Sequence, residues 1–394
     1  MQIILDKTKG GYAQDEETLD KLRKNFFGKE EQGLIWLEPE EFLYLIQFQN
    51  AKAVDVKGKE LTFTDVMVHF SKKEDRLFTK YNAYRDWRDR GLIVRRLTNV
   101  RSKHEGKTFK KYPSKKLQTK KLEATAYWFS DSLYSILDSD ELGKWFFEEF
   151  WIGQYGIYKQ GRGDTSKLSF LETVFVAKHF GVKLIDAKTK KATTPEKVLN
   201  AAIKKREYTK ELYDIYEDWR LQSYVVKTGF KFGTHFRIYF PGASPVKEDN
   251  WIHSKHVLHV FPKDQKLLIS EWSRAVRVAH GVKKTFILGI PEMTEKDYIN
   301  YHVDFVAYRR KKEGGIFVRE TPKDKPRYLL AVVSEDEHIG GVELASLLKM
   351  AKEMGLSLML SITDRETSIT YYVLKQIVLP GSKYEYYEIE WIKP

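Results

Sequence analysis

The sequence predicts an α+β protein made of duplicated N-type and C-type subdomains, each a small mixed sheet flanked by helices. Three internal matches carry that class. YRDWRDRGLIVR at 84–95 resembles YEDWRLQSYVVK at 216–227 at an offset of 132, with Tyr84/Tyr216, Asp86/Asp218, Trp87/Trp219, Arg88/Arg220 and Val94/Val226 identical. Upstream, KAVDVKGKELT at 52–62 matches KLIDAKTKKAT at 183–193 at an offset of 131. The third match is fainter and nearly gapless: VLHVFPKDQKLLISEWSRAVRVAHGVKKTFILGI at 257–290 overlays LLAVVSEDEHIGGVELASLLKMAKEMGLSLMLSI at 329–362 at an offset of 72. Both members read as apolar strand, acidic turn, helix with apolar residues three and four apart, then a second apolar strand. With two long copies of each kind, the period is wrong for a solenoid.

The order is therefore N-type, N-type, C-type, C-type, divided at 1–123, 124–207, 208–307 and 308–394. At 394 residues the chain has room for several folding units, and 42% hydrophobic with 14% aromatic content marks them as globular. Lysines and arginines number 68 against 55 acidic residues, a net charge of +13 that favours polyanionic partners, nucleic acid first. The absence of cysteine excludes disulfides, thiolate zinc sites, iron–sulfur clusters and cysteine nucleophiles. No apolar run approaches the ~18 residues of a membrane span and the first residues lack a signal-peptide layout. The expectation is a soluble, cytoplasmic protein with no membrane partner.

Within the first unit, RRLTNVRSKHEGKTFKKYPSKKLQTKK at 95–121 is basic and broken by Gly106 and Pro113. It reads either as a solvated linker or as an RNA-contacting arm. The aromatic run at 126–156 offers stacking surfaces for bases, but the helical spacing of WFFEEFW favours core packing. In the third unit, VVKTGFKFGTHFRIYF reads as strand, turn and strand, with Gly229 and Gly233 bracketing the turn.

The chemistry-bearing residues concentrate at 223–284. No Walker loop surrounds Lys231 and no G-x-S-x-G elbow occurs. On a strand, His253 and His259 would share a face opposite His256, and no acidic or thiol partner completes a metal set. Glu248 and Asp249 fall in a Pro/Gly-rich turn as a solvated pair, not as a two-metal carboxylate cluster. What remains is metal-free RNA cleavage, in which the substrate's own 2′-hydroxyl attacks. The protein then supplies a base, an acid for the departing 5′-oxygen and a fixed cation for the phosphorane.

Three motifs carry a resemblance: YVVKTGFKFGTHFRIY, IHSKHVLHVFP and RAVRVAHGVKK. Together they resemble the catalytic part of the archaeal tRNA-intron (tRNA-splicing) endonuclease, in its fused three-unit homodimeric form. The resemblance implies restriction-endonuclease-like C-type parts, Tyr239 as general base, His253 as general acid and Lys284 as transition-state cation. It implies no cofactor and no metal, with products ending in a 2′,3′-cyclic phosphate and a 5′-hydroxyl. The implied partners are precursor tRNA carrying a bulge–helix–bulge and a second copy of the chain. The segment between Tyr239 and His253 departs from the family pattern by being slightly longer.

The resemblance also implies that Arg277, the arginine of R-V-A-H, is a base-clamping residue. Lys159, Arg162 and Lys167 lie in the basic loop YKQGRGDTSK and are candidates for RNA contact by charge and length. TDRETS at 363–368 occupies the place of the family's acidic assembly loop, which makes Asp364 and Glu366 candidate dimer contacts. At the offset of 72, Lys284 falls on Leu356 and His253 on Lys325, so the last unit keeps the fold and lacks the chemical groups. The alternative reading is a non-catalytic RNA-binding subunit.

Overall fold

The computed structural model describes residues 1–97, 109–157, 162–246, 253–291, 293–382 and 384–394. Among these, the fold is mixed α+β: two six-stranded sheets and one of eleven strands, with helices packed on them. No helix of the described residues is long and apolar enough to cross a membrane.

The first six-stranded sheet runs Lys29–Glu31, Leu34–Leu37, Gly10–Ala13, Gln2–Asp6, Lys52–Asp55, Glu60–Leu61. The second runs Gln154–Tyr155, Ser166–Ser169, Tyr134–Leu137, Thr125–Phe129, Lys183–Asp186, Ala192–Thr193, the same order taken from a later stretch of chain. Each contains one parallel pair, Gln2–Asp6 with Lys52–Asp55 and Thr125–Phe129 with Lys183–Asp186. The matched lysine-rich segments both turn on their aspartate, the second loop being one residue longer: the Asp55 amide donates to Lys59 O and the Asp186 amide to Lys191 O. Asp55 Oδ1 accepts from the backbone amides of Lys57 and Lys59, and Asp186 Oδ1 from those of Lys188 and Thr189.

The matched tryptophans sit on helices Leu77–Asp89 and Thr209–Leu221, each entered through a residue in the left-handed region, Arg76 at φ 59° and Tyr208 at φ 55°. Trp87 and Trp219 are fully buried and tie their helices to opposite halves of the eleven-stranded sheet. That sheet runs Val225–Thr228, Phe236–Tyr239, His256–Val260, Thr285–Ile290, Glu385–Ile392, Ile369–Val378, Ser357–Thr363, Tyr328–Ser334, Phe305–Ala307, Val94–Arg96. Phe109–Lys111 adds alongside Ile369–Val378 in parallel. Helices Ile269–Gly281 and Gly341–Glu353 cover one face through a shared core that includes Val257, Val276, Phe286, Leu329, Leu347 and Leu358.

The register repeats across the middle of the sheet. Phe236, Arg237 and Ile238 pair with Leu258, Val257 and His256; Phe305, Val306 and Ala307 pair with Leu330, Leu329 and Tyr328. By that correspondence Tyr308 follows Ala307 as Tyr239 follows Ile238, a counterpart that the gapless sequence overlay does not reach.

The described part of the basic segment is largely exposed but anchored at several points. Lys111 ends a strand, and Tyr112 is 2% exposed with its hydroxyl donating to the carboxylate of Glu388, itself 2% exposed. Lys110 Nζ donates to the same carboxylate at 3.0 Å. Downstream, the Leu117 amide donates to Leu221 O at 2.8 Å and the Leu122 amide to Phe180 O at 2.8 Å. An aromatic anchor and a series of backbone bonds therefore lash this stretch to the second half of the molecule. Its residues 98–108 lie outside the described residues.

In the aromatic run, Phe146 is fully buried and packs edge-on to Phe180, with centroids 5.0 Å apart. Trp145 and Phe150 pack against the same core partly buried, while Phe147 and Trp151 are half-buried.

Candidate active site

The strand Phe236–Tyr239 alternates faces. Phe236 and Ile238 enter the core beneath helix Thr209–Leu221, so Arg237 and Tyr239 face the opposite way, towards helix Ile269–Gly281. Tyr239 is 5% exposed, and its ring lies against Trp151 with centroids 4.8 Å apart. Its cross-strand partner is Val225.

Lys284 is placed by the end of helix Ile269–Gly281. Its amide donates to Ala279 O at 2.9 Å, after Lys283 has turned the chain through φ 56°. Lys283 is exposed, whereas Lys284 leads into strand Thr285–Ile290. The Lys284 ammonium donates to the Ser254 carbonyl and, at 3.0 Å, to Ser254 Oγ. It also stands 4.8 Å from the ring centre of Phe232. Partial burial and the neighbouring Arg237 guanidinium hold its pKa below the ordinary lysine value.

His253 precedes Ser254 and is exposed, three residues before the strand His256–Val260 begins. The sequence argument about alternate faces therefore does not apply to it. His256 and His259 are strand residues held neutral by burial, each with a pKa pushed down to about 4. No group of three or more His, Cys, Asp or Glu residues suited to a metal ion occurs among the described residues.

The ladder brings Tyr239 and Lys284 to one sheet end. His256 pairs with Thr285 and with Ile238. One step on, the Thr285 amide donates to Lys255 O at 2.8 Å, so Tyr239, Lys255 and Lys284 continue the same rows. Two strand spacings separate Tyr239 from Lys284, about 10 Å between backbones. Side chains of that length, directed to one face, can converge on a phosphate between them.

Four supporting residues were not singled out in the sequence: Ser254, Phe232, Arg237 and Trp151. Three of them lie inside the motifs already quoted, and the adjacency of Ser254 to His253 is a signal that could have found it. Trp151 is distant in sequence and gives none.

The other candidates are spread over the surface. Arg277 is exposed on helix Ile269–Gly281, near enough to Tyr372 for its charge to be felt there. Lys167 is exposed on strand Ser166–Ser169, Arg162 is exposed nearby, and Lys159 lies outside the described residues. Asp364 Oδ1 accepts from the amides of Glu366 and Ser368, so that oxygen shapes its own loop, while the Glu366 side chain is exposed.

A family model described as the tRNA intron endonuclease, catalytic C-terminal domain, matches residues 209–301. The tRNA-splicing endonuclease of Thermococcus gammatolerans is 32% identical over 141 residues, 36% of this chain and 78% of that protein. The chain belongs to the tRNA-splicing endonuclease family. Its relative from Methanothermobacter thermautotrophicus is 32% identical over 143 residues, 36% of this chain and 79% of that protein. The relative from Methanococcoides burtonii is 40% identical over 86 residues, 22% of this chain and 24% of that protein. Members of this family are endonucleases, and the matched window contains every residue of the cluster around Lys284 described above except Trp151.

Proposed function

We propose that the chain cuts precursor tRNA at bulge–helix–bulge intron–exon junctions by metal-independent attack of the 2′-hydroxyl. Tyr239 withdraws the 2′-hydroxyl proton. His253 protonates the departing 5′-oxygen, and Lys284 balances charge on the phosphorane. The products are a 2′,3′-cyclic phosphate and a 5′-hydroxyl. The observation that supports this reading is the bond from Lys284 to Ser254, the residue that follows the exposed His253, on the sheet row that Tyr239 and Lys284 share.

In the same reading the chain is a fused three-unit form. The N-terminal unit, 1–123 with its basic linker, and the C-terminal repeat, 308–394, are non-catalytic. They flank the N-type part at 124–207 and the catalytic part at 208–307. The equal strand orders of the two six-stranded sheets and the repeated register support that division. Two chains then form a homodimer through Asp364 and Glu366 and make two cuts per precursor. Arg277 clamps an extruded base, and Lys159, Arg162 and Lys167 contact the RNA.

The test is incubation of a bulge–helix–bulge RNA in excess chelator, with analysis of both new ends. Cyclic phosphate and 5′-hydroxyl ends are expected. Ends bearing 3′-hydroxyl and 5′-phosphate, or cleavage only with added Mg²⁺, would refute the mechanism.

A further inference from the structure

The half of the sheet that carries Leu356 in place of Lys284 holds an open cleft of about 740 Å³. Its walls include Tyr328, Arg309, Arg310, Arg327, Lys393 and Phe317. Two further charges there, Lys375 and Glu390, pair with each other at 3.0 Å. Arg327 is committed to the buried Glu320 at 2.6 Å, and Arg310 Nη2 donates to Arg90 O at 2.6 Å. Arg309 and Lys393 are exposed at the rim.

Phe317 belongs to a separate two-stranded hairpin, Arg310–Glu313 with Ile316–Arg319, turned by Gly314 and Gly315 at positive φ. Such a hairpin is marginal alone. Here its base is pinned by Lys311 to Asp324 at 2.8 Å and by the Arg309 amide to Glu320 at 3.2 Å. Its far strand nevertheless presents Ile316 at 70% and Phe317 at 68% exposure, flanked by Lys312 and Arg319. Exposed aromatic surface framed by cations calls for a partner.

The corresponding place in the other half is occupied. Where Tyr328 and Leu92 line the open cleft, the equivalent residues His256 and Tyr224 meet the docked segment. The Tyr224 hydroxyl donates to Pro113 O, and the Tyr112 and His256 rings pack edge-on 5.7 Å apart. One of two related recesses is thus filled by the chain itself, and the one that stays open is cationic and edged by the exposed ring of Phe317.

We propose that this cleft is a second RNA-docking site, remote from cleavage, that takes a single-stranded nucleotide of the same precursor. Phe317 stacks on the base while Arg309 and Lys393 pair with the flanking phosphates. Stacking on an aromatic ring combined with backbone neutralisation is the general chemistry of single-strand binding. With Arg327 paired to Glu320 and Lys375 to Glu390, Arg309, Arg310 and Lys393 are the lining cations left over among the described residues, and they favour a polyanion. The proposal rests on the reading that the chain acts on precursor tRNA.

The experiment uses full-length chain and a bulge–helix–bulge RNA with extended single-stranded tails, in two versions. An RNA with 2′-deoxy residues at the cleavage positions reads binding alone; the all-ribose RNA reads cleavage. Phe317→Ala and the double variant Arg309→Ala/Lys393→Ala alter exposed side chains, so their thermal unfolding should match the parent. Each is expected to bind the deoxy-blocked RNA about tenfold more weakly. The double variant should also show a shallower salt dependence, by about 0.7 per lost phosphate contact. Single-turnover cleavage at saturating RNA should be unchanged. Parental affinity in both variants would overturn the proposal. So would parental affinity together with a change in sedimentation, which would assign the hairpin to a protein interface. Failure of the parent to cleave the all-ribose RNA would instead count against the proposed function, since the blocked RNA reports binding independently.

Discussion

Lys284 donates two hydrogen bonds to Ser254, one to its carbonyl and one at 3.0 Å to its hydroxyl. That contact fixes the ammonium against the segment carrying His253, and the two should not be separable in function. Ser254→Ala removes the hydroxyl acceptor and keeps the carbonyl. We expect a loss of about fivefold in single-turnover rate, equivalent to one ordinary hydrogen bond. Lys284→Ala should cost a factor on the order of 10²–10³. Equal losses in the two variants would contradict a charge-based role for Lys284.

His253→Ala should lower the cleavage rate by a factor on the order of 10²–10⁴ with little change in RNA affinity. The residue is exposed and supports no core, so circular dichroism and thermal unfolding should match the parent. Parallel losses of affinity and rate would indicate positioning of RNA instead of proton transfer.

The pKa of Lys284 lies below the free-lysine value of 10.5, through burial first and Arg237 second. The ammonium is therefore present at neutral pH and is lost on the alkaline side earlier than in a free lysine. Rate profiles should show an alkaline decline centred below pH 10.5. In Lys284→Arg, whose guanidinium keeps its proton throughout, that decline should disappear even where the rate is lower.

A stability prediction concerns Glu41. Its carboxylate accepts from the amides of Gly28 and Glu38, yet burial raises its pKa from 4.5 to about 7. A raised folded-state pKa means that the folded form holds the proton over this window while the unfolded chain has released it. Stability therefore falls as pH rises from about 4.5 to 7, by on the order of 3 kcal/mol at most. Urea titrations at pH 5 and pH 8 should show that drop in the parent and a much smaller one in Glu41→Gln.

Tyr112→Phe removes the donor that meets the buried Glu388 carboxylate, leaving Lys110 to hold it. A loss of about 1–3 kcal/mol is expected on urea unfolding. Lys110→Ala added to it should be more than additive, because both groups serve one carboxylate.

Much of this was legible in the sequence because repeats leave their register in the chain. The tryptophan helices and the Asp55 and Asp186 turns fell where the matched segments put them. Lys284 came from the resemblance, while the left-handed turn at Lys283 that sends its side chain to Ser254 is seen only in three dimensions. Strand alternation misled at His253, which lies before the strand rather than in it. The docking of 109–123 was hidden because composition averages over a segment, and a single buried Tyr112 among lysines changes its fate. The counterpart of Tyr239 was out of reach for a related reason: Tyr308 is displaced from the gapless overlay, and only the strand pairing recovers it.

The pairing of Ile290 with Glu385 has a consequence for biosynthesis. The strand that follows Lys284 has its neighbour on the side of the sheet centre supplied by a stretch translated long afterwards. Until that stretch emerges, the nascent chain presents an unpaired hydrogen-bonding edge there. The central pairing of the eleven-stranded sheet therefore closes only when nearly the whole chain has been made.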